Sequence, residues 1–270
     1  AITGLLLGSG AQAATITVTS NADDDGTGCT LREAIASINT QVTQDGCVAT
    51  GTYGDDDTIL LDTLVTGAIT LNGNQLAVNQ SMRIQGPGAA NLAVDGAGGS
   101  RVFDISGPDV AVSIDGLTIR NGRVSIGSAD GSRGGGIRVG DSASLVLSNS
   151  AVTGNSAFLS GGGIYAFDNT SLTLIHSTVE GNSAFSGGGI SATNNTAVML
   201  VDSTISGNSA GDGGGGISAS NTPVTLTNST VSNNSAGTSG GGISASNAPV
   251  TLTNSTVSNN SADSSGGGIL

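Results

Sequence analysis

The stretch "GGGISASNTPVTLTNSTVSNNSA" runs from Gly214 to Ala236, and "GGGISASNAPVTLTNSTVSNNSA" follows from Gly240 to Ala262. Between Ile217–Ala236 and Ile243–Ala262 one position changes, with Ala248 standing where the first copy has Thr222. The string GGGI ends at Ile137, Ile164, Ile190, Ile217, Ile243 and Ile269, at steps of 27, 26, 27, 26 and 26. Asn155, Asn182, Asn208, Asn234 and Asn260 keep the same time, and so does the series Asn149, His176, Asp202, Asn228 and Asn254. Three markers at one period identify a repeat architecture.

Inside one period apolar and polar residues alternate. Ile217 and Ala219 flank Ser218, Val224 and Leu226 flank Thr225, and Val231 lies between Thr230 and Ser232. These are three short runs of period two, the pattern of strands, parted by Asn, Pro and Gly. Glycine density and β-branched content exclude helix. Three strands per 26 residues predict the coils of a right-handed parallel β-helix, an all-β fold in which no coil buries its apolar face alone. Identical coils place like on like. Leu226 is expected on Leu252, Asn228 on Asn254 in an amide ladder, and Phe158 beside Phe185 as a stacked pair. His176 and Asp202 fall in the Asn228 slot and read as polar turn substitutes.

Working outward, the first hundred residues lack the clock but keep the strands, as in "ATITVTS", "DTILLD", "GAITLNG", "SMRIQG", "NLAVDG" and "VAVSIDGLTIRNG". The exception is "CTLREAIASIN". Thr30 with Glu33 three residues on makes a capping box, and Leu31, Ala34, Ile35 and Ile38 share one helical face. An amphipathic helix over Thr30–Ile38 is predicted to shield the open end of the solenoid. The chain divides into 1–14, 15–60 with the capping helix, 61–133 with irregular coils, and 134–270 with regular repeats.

The composition is unusual: 45 Gly, six aromatic residues, 10% charged residues and a net charge of −13. All seven arginines lie at or before Arg138, there is no lysine, and beyond that point the one basic side chain on offer is His176. Nucleic acid is therefore a poor partner, since it demands a basic face. No segment has the length of a membrane span. "AITGLLLGSGAQAA" reads as the tail of an export signal, with Ala11-Gln12-Ala13 as an A-x-A cleavage site, removal of residues up to Ala13 or Ala14 and a mature chain beginning near Thr15. Cys29 and Cys47 complete the cysteine inventory. In an oxidising compartment one bridge is expected, with two buried thiols as the alternative.

"CTLREAI", Cys29–Ile35, resembles the Cys-Ser-Leu-Arg-Glu-Ala signature of the CSLREA-domain family, with Thr30 for Ser. "GDDDTILLD" at Gly54–Asp62 and "SMRIQGPGA" at Ser81–Ala89 resemble that family's leading coils. The "GGGI…NSTVSNNSA" units are similar to polymorphic outer-membrane-protein repeats, with Gly replacing Ala in GGA[ILV] and Val/Ile-Ser-x-Asn replacing F-x-x-N. The resemblance implies an exported or cell-surface bacterial protein and brings no catalytic residue with it.

No residue set is assigned here as catalytic, cofactor-binding or metal-binding. The expected function is a non-catalytic surface solenoid, a structural passenger or adhesin-like face meeting host, matrix or extracellular glycans. The alternative is a polysaccharide lyase or glycoside hydrolase, the class of chemistry that needs a base and a cation or paired carboxylates. Its best location is the long connection Gly122–Arg133, which is expected to bring Arg123, Asp130 and Arg133 near Arg138 and Asp141. The triplets Asp23–Asp25 and Asp55–Asp57 offer hard oxygen ligands for Ca²⁺, with solvated acidic turns as the favoured reading. Thr225, Thr227, Thr251 and Thr253 form a small outward array that could meet a polymer.

Overall fold

A computed structural model describes residues 12–23, 28–127 and 131–270. Successive coils stack in parallel and in step. Ile164 pairs with Ile190, Ile190 with Ile217, and Ile217 with Ile243. Leu200, Leu226 and Leu252 follow one another in the next ladder. The four isoleucines are completely buried. Each inward column thus lies over its copy at about the 4.8 Å strand spacing, and a continuous core forms that no single coil could hold.

The three predicted strands of the coil are present at Ile217–Ser220, Val224–Thr227 and Thr230–Ser232. A fourth parallel ladder joins them at Ser235–Ala236, so the described residues form four sheets rather than three. Two residues are too few for alternation to be visible, which is why the Ser-Ala pair reads as turn in the sequence. The irregular coils obey the same plan, with strands at Asp57–Leu61, Gly67–Thr70, Leu76–Val78 and Met82–Gln85.

Glycine runs mark where coils approach most closely. Gly214 has φ +68°, a left-handed conformation that costs Gly least. A Cβ on Gly215 would collide with the carbonyl oxygens of Ser235 and Gly241, and one on Gly216 with the Asn234 amide. The GGG triplet therefore sets the turn and then makes room for the next coil.

An amide ladder exists, but not where it was expected. Asn228 and Asn254 are exposed turn residues with φ +49°, and no hydrogen bond joins their side chains. Asparagine serves there because it tolerates the left-handed region. The buried ladder is the other series. Asn182 sends Nδ2 to the Asn208 Oδ1 at 3.0 Å and to the Val152 carbonyl at 2.9 Å, while its own backbone N–H reaches the same Oδ1 at 3.0 Å. Asn155, Asn208 and Asn234 repeat the pattern. A second column runs beside it, in which Ser150, Ser177, Ser203 and Ser229 each donate their amide to the hydroxyl one coil on. In these two columns each buried polar side chain is met by its counterpart one coil away.

The helix spans Leu31–Thr40, with Thr30 as its N-cap and both bonds of the capping box in place. Leu31, Ala34, Ile35 and Ile38 are buried against strands Thr15–Val18, Asp57–Leu61 and Leu76–Val78 of the first coils. Arg32 pins the outer edge, holding both oxygens of Asp23 at 2.9 Å and the Asn74 and Gln75 carbonyls. Cys29 and Cys47 are bridged, with Cα atoms 4.4 Å apart, so the thiol alternative is set aside. The short strand Ala49–Thr50 pairs antiparallel with Thr15–Val18 and covers the edge of the largest sheet.

Neither acidic triplet is a solvated turn throughout. Asp23 is buried under Arg32 and accepts the Asn72 amide, while Asp24 and Asp25 lie outside the described residues. Asp57 is wholly buried, whereas Asp55 and Asp56 are exposed. Among the described residues no cluster of His, Cys, Asp or Glu has the geometry to hold a metal ion.

Candidate functional site

The place where charge and aromatic surface converge lies on the outer face of the sheet that carries the GGGI strands. Its strands alternate in and out, so in Ile137–Gly140 Ile137 and Val139 fill the core and Arg138 points outward. Register sets the neighbours. Arg138 sits between Asp104 on the preceding coil and Tyr165 on the following one. Arg138 Nη1 reaches Asp104 Oδ1 at 2.8 Å, and its guanidinium lies 4.6 Å from the centre of the Phe167 ring. Phe167 stacks on Tyr165 with centroids 5.1 Å apart. Its ring occupies the space above Gly140, where any Cβ would collide with it.

Arg133 supplies the second cation, with its guanidinium 5.6 Å from the Tyr165 ring. Among the described residues no carboxylate lies within ion-pair distance of it. Its backbone is held from beneath by Arg101, which is 1% exposed. Arg101 donates to the carbonyls of Gly134 and Arg133 at 2.9 Å and to the Gln75 side chain, and stands 3.8 Å from Asp104. Gln75 also donates to Asp104 at 3.1 Å. Together Gln75, Asp104, Ser132, Arg133, Arg138, Tyr165 and Phe167 line an open hollow of about 510 Å³.

Two arginines stacked on aromatic faces around one already paired carboxylate leave a locally cationic patch on a chain of net charge −13. Guanidinium groups offer a planar fork of donors, and rings offer a flat apolar platform. The hollow can therefore orient an anionic or hydroxyl-rich ligand. Acid hydrolysis needs a second carboxylate across the scissile bond, and the described residues of the hollow contain Asp104 alone.

The long connection places its predicted residues unequally. Arg133 and Arg138 meet in the hollow. Arg123 lies on a different face, lining a smaller depression with Val124, Ile126 and Phe158. Asp141 is an exposed residue at a left-handed turn and does not line the hollow. Asp130 lies outside the described residues. Phe158 and Phe185 do not stack on one another; each is about half exposed, at 50% and 57%, and the ring pair among the described residues is Tyr165–Phe167. Sequence reading passed over Asp104, Gln75, Tyr165 and Phe167. The signal was available for the rings, since Tyr165 holds the position that later coils fill with Ser191, Ser218 and Ser244.

Elsewhere the outward columns are bland. His176 and Asp202 make an exposed contact at 3.6 Å in the turn series, as polar turn residues do. Thr225 pairs with Thr251 and Thr227 with Thr253, but the half-exposed Met199 interrupts the column one coil before. No helix among the described residues is long and apolar enough to cross a membrane, which says nothing of a β-barrel.

Residues 68–270 match the family described as a right handed beta helix region. No curated protein and no solved structure matches the chain.

Proposed function

The chain belongs to the right-handed β-helix family, and on that premise we propose that it serves as an exported, non-catalytic surface solenoid of a bacterium. It is a structural passenger or adhesin-like face, and the Arg133–Tyr165 hollow is its contact for extracellular glycan or matrix. The observation that carries this reading is the outward row Arg138, Tyr165, Ser191, Ser218, Ser244. One end has unique charged and aromatic residues, and the rest repeats a hydroxyl coil after coil. Copying whole coils multiplies length and stacked surface. It does not assemble the convergent, differently tuned titratable groups that catalysis needs. Resemblance of Cys29–Ile35 to the CSLREA signature supports export.

A second reading is favoured by the pair Arg133 and Arg138 beside Asp104. In that arrangement the hollow belongs to a polysaccharide lyase or hydrolase, with an arginine facing the substrate carboxylate. Purified protein assayed against acidic and neutral polysaccharides, with and without Ca²⁺, separates the two. We expect no turnover on any of them and retained binding to cells or matrix that drops at least about ten-fold in Arg133→Ala, the scale of losing one stacked, charge-assisted contact. Turnover abolished by Arg133→Ala or Arg138→Ala would overturn the non-catalytic reading.

A further inference from the structure

Asp57 is the most deeply buried carboxylate among the described residues. It is 0% exposed, lies at the start of strand Asp57–Leu61, and no arginine stands within ion-pair distance of it among the described residues. Its donors are backbone amides. Gly54 N–H reaches both oxygens at 3.1 Å, and Ala14 N–H reaches Oδ1 at 2.8 Å. A buried anion without a cation is costly even when hydrogen-bonded.

Ala14 is also the first buried residue among those described. Gln12 is exposed, Ala13 is half-buried, and Ala14 is 1% exposed, with its carbonyl already in the first parallel ladder through the Thr58 amide. The two residues before it are held only at an edge. Gln12 accepts the Thr52 amide and Ala13 bridges to Thr52, and both Gly51 and Thr52 are exposed. Removing Gln12 and Ala13 would free those groups to water and, among the described residues, strand nothing in the core. The A-x-A sequence Ala11-Gln12-Ala13 places cleavage at the same bond.

We propose that the Ala13–Ala14 bond is the maturation site, and that the α-ammonium released at Ala14 forms a buried ion pair with Asp57 that locks the first strand onto the solenoid. A leader peptidase of the export route adds one water across the bond. Ala13 leaves with the new carboxylate, and Ala14 keeps the nitrogen, which takes up a proton. The nitrogen stays where its N–H now meets Asp57 Oδ1, so the carboxylate gains its missing counter-charge without rearrangement. Because Ala14 is buried in the folded chain, cleavage must precede folding. The proposal rests on the export reading above but not on the glycan-binding hollow, which its tests leave untouched.

The chain has no lysine, since all seven of its basic Lys/Arg residues are arginines, so an acylating reagent meets one primary amine. The chain is released from a fusion partner with Ala14 as its free terminus, and a second sample is acetylated while unfolded and then refolded. We expect the folded free amine to react with the reagent at least about ten-fold more slowly than in urea. The acetylated form should show an unfolding constant raised by about ten-fold or more, as when one member of a buried pair is neutralised. Asp57→Asn should abolish the difference between free and acetylated forms. A chain begun at Ala13 should react at the solvent rate. Equal stability of the free and acetylated forms overturns the lock, and so does a difference that survives in Asp57→Asn. If Asp57→Asn does not fold, the reactivity and acetylation of the unsubstituted chain still decide. The intact mass of exported protein should begin at Ala14; a different start overturns the maturation site while leaving the surface role standing.

Discussion

The coils up to Arg138 and those after it solve the same problem by different means. Both bury polar atoms, because every turn of a solenoid carries backbone and side-chain polar groups into the interior. In the first half each is met by a particular partner: Asp23 by Arg32, Asp95 by Arg120 and Asn121, Arg101 by two carbonyls and Gln75. In the second half the Asn and Ser columns meet theirs with a copy one coil away. Particular partners create unique surroundings, and the hollow lined by Arg133, Arg138, Tyr165 and Phe167 lies at the junction of the two regimes. Copied partners create length.

The contrast is most severely strained by breaking the ladder. Asn208→Ala removes the acceptor of both the Asn182 side chain and its backbone amide, and the donor to the Val179 carbonyl. At roughly 1–3 kcal/mol for each orphaned buried group, the repeats should lose about 4 kcal/mol. Hydrogen exchange should report it as faster opening of the coils around residue 208. Protection of the Leu31–Thr40 helix should be unchanged, since each coil touches only its neighbours. Opening that spread evenly to the helix would mean that the two regions are one cooperative unit.

The reverse experiment acts at the other end. Replacing Cys47 by Ser opens a loop with a sequence separation of 18, which the chain-entropy account values at about 3 kcal/mol. We expect the helix and strand Thr15–Val18 to lose protection and the coils beyond Gly134 to keep theirs.

A smaller effect is expected at Asp95. Burial by itself pushes this carboxyl up, but the Ala97 amide, the Arg120 and Asn121 side chains and the Arg120 charge together hold it below the usual carboxylate range. A value depressed in the folded state gives stability that is present above the ordinary Asp value near ~3.9 and is lost as pH falls through the folded value. Arg120 is 41% exposed, so solvent screens the pair and Asp95→Asn should cost only about 1 kcal/mol at neutral pH. Urea midpoints of the two forms should converge in acid. A gap that persisted would assign the effect to packing.

The least should happen at His176. Its imidazole is 62% exposed and its φ is +48°, which Asn accepts as readily. His176→Asn should change stability by less than about 0.5 kcal/mol, read from the urea midpoint. A larger change would give the exposed contact with Asp202 a role that the turn geometry does not require.

Much of this was legible in the residues themselves. The period, the inward columns of Ile and Leu, the capping box at Thr30 and Glu33, and the pairing available to Cys29 and Cys47 all depend on local spacing, which a sequence states directly. The fourth ladder at Ser235–Ala236 escaped because two residues carry no period. The hollow was half legible, since Arg133 and Arg138 are close in sequence, whereas Asp104 and Gln75 join them only through coil stacking.

What the tertiary structure decided was which of two equally regular asparagine series is inside. Asn155, Asn182 and Asn208 share their period with Asn149, Asn228 and Asn254, and the visible difference, His176 and Asp202 within the second series, marks a more tolerant position without stating which way it faces. The difference is the backbone: the second series turns left-handed and swings its side chains into water, while the first faces the core and finds amides one coil above. The neighbours of Arg138 were decided in the same way. Asp104 lies 34 positions before it and Tyr165 lies 27 after, and only the register of hydrogen-bonded coils makes those two distances equivalent. Spacing along a chain specifies what a coil contains; contact between coils depends on connection length and ladder register, which are properties of the stack.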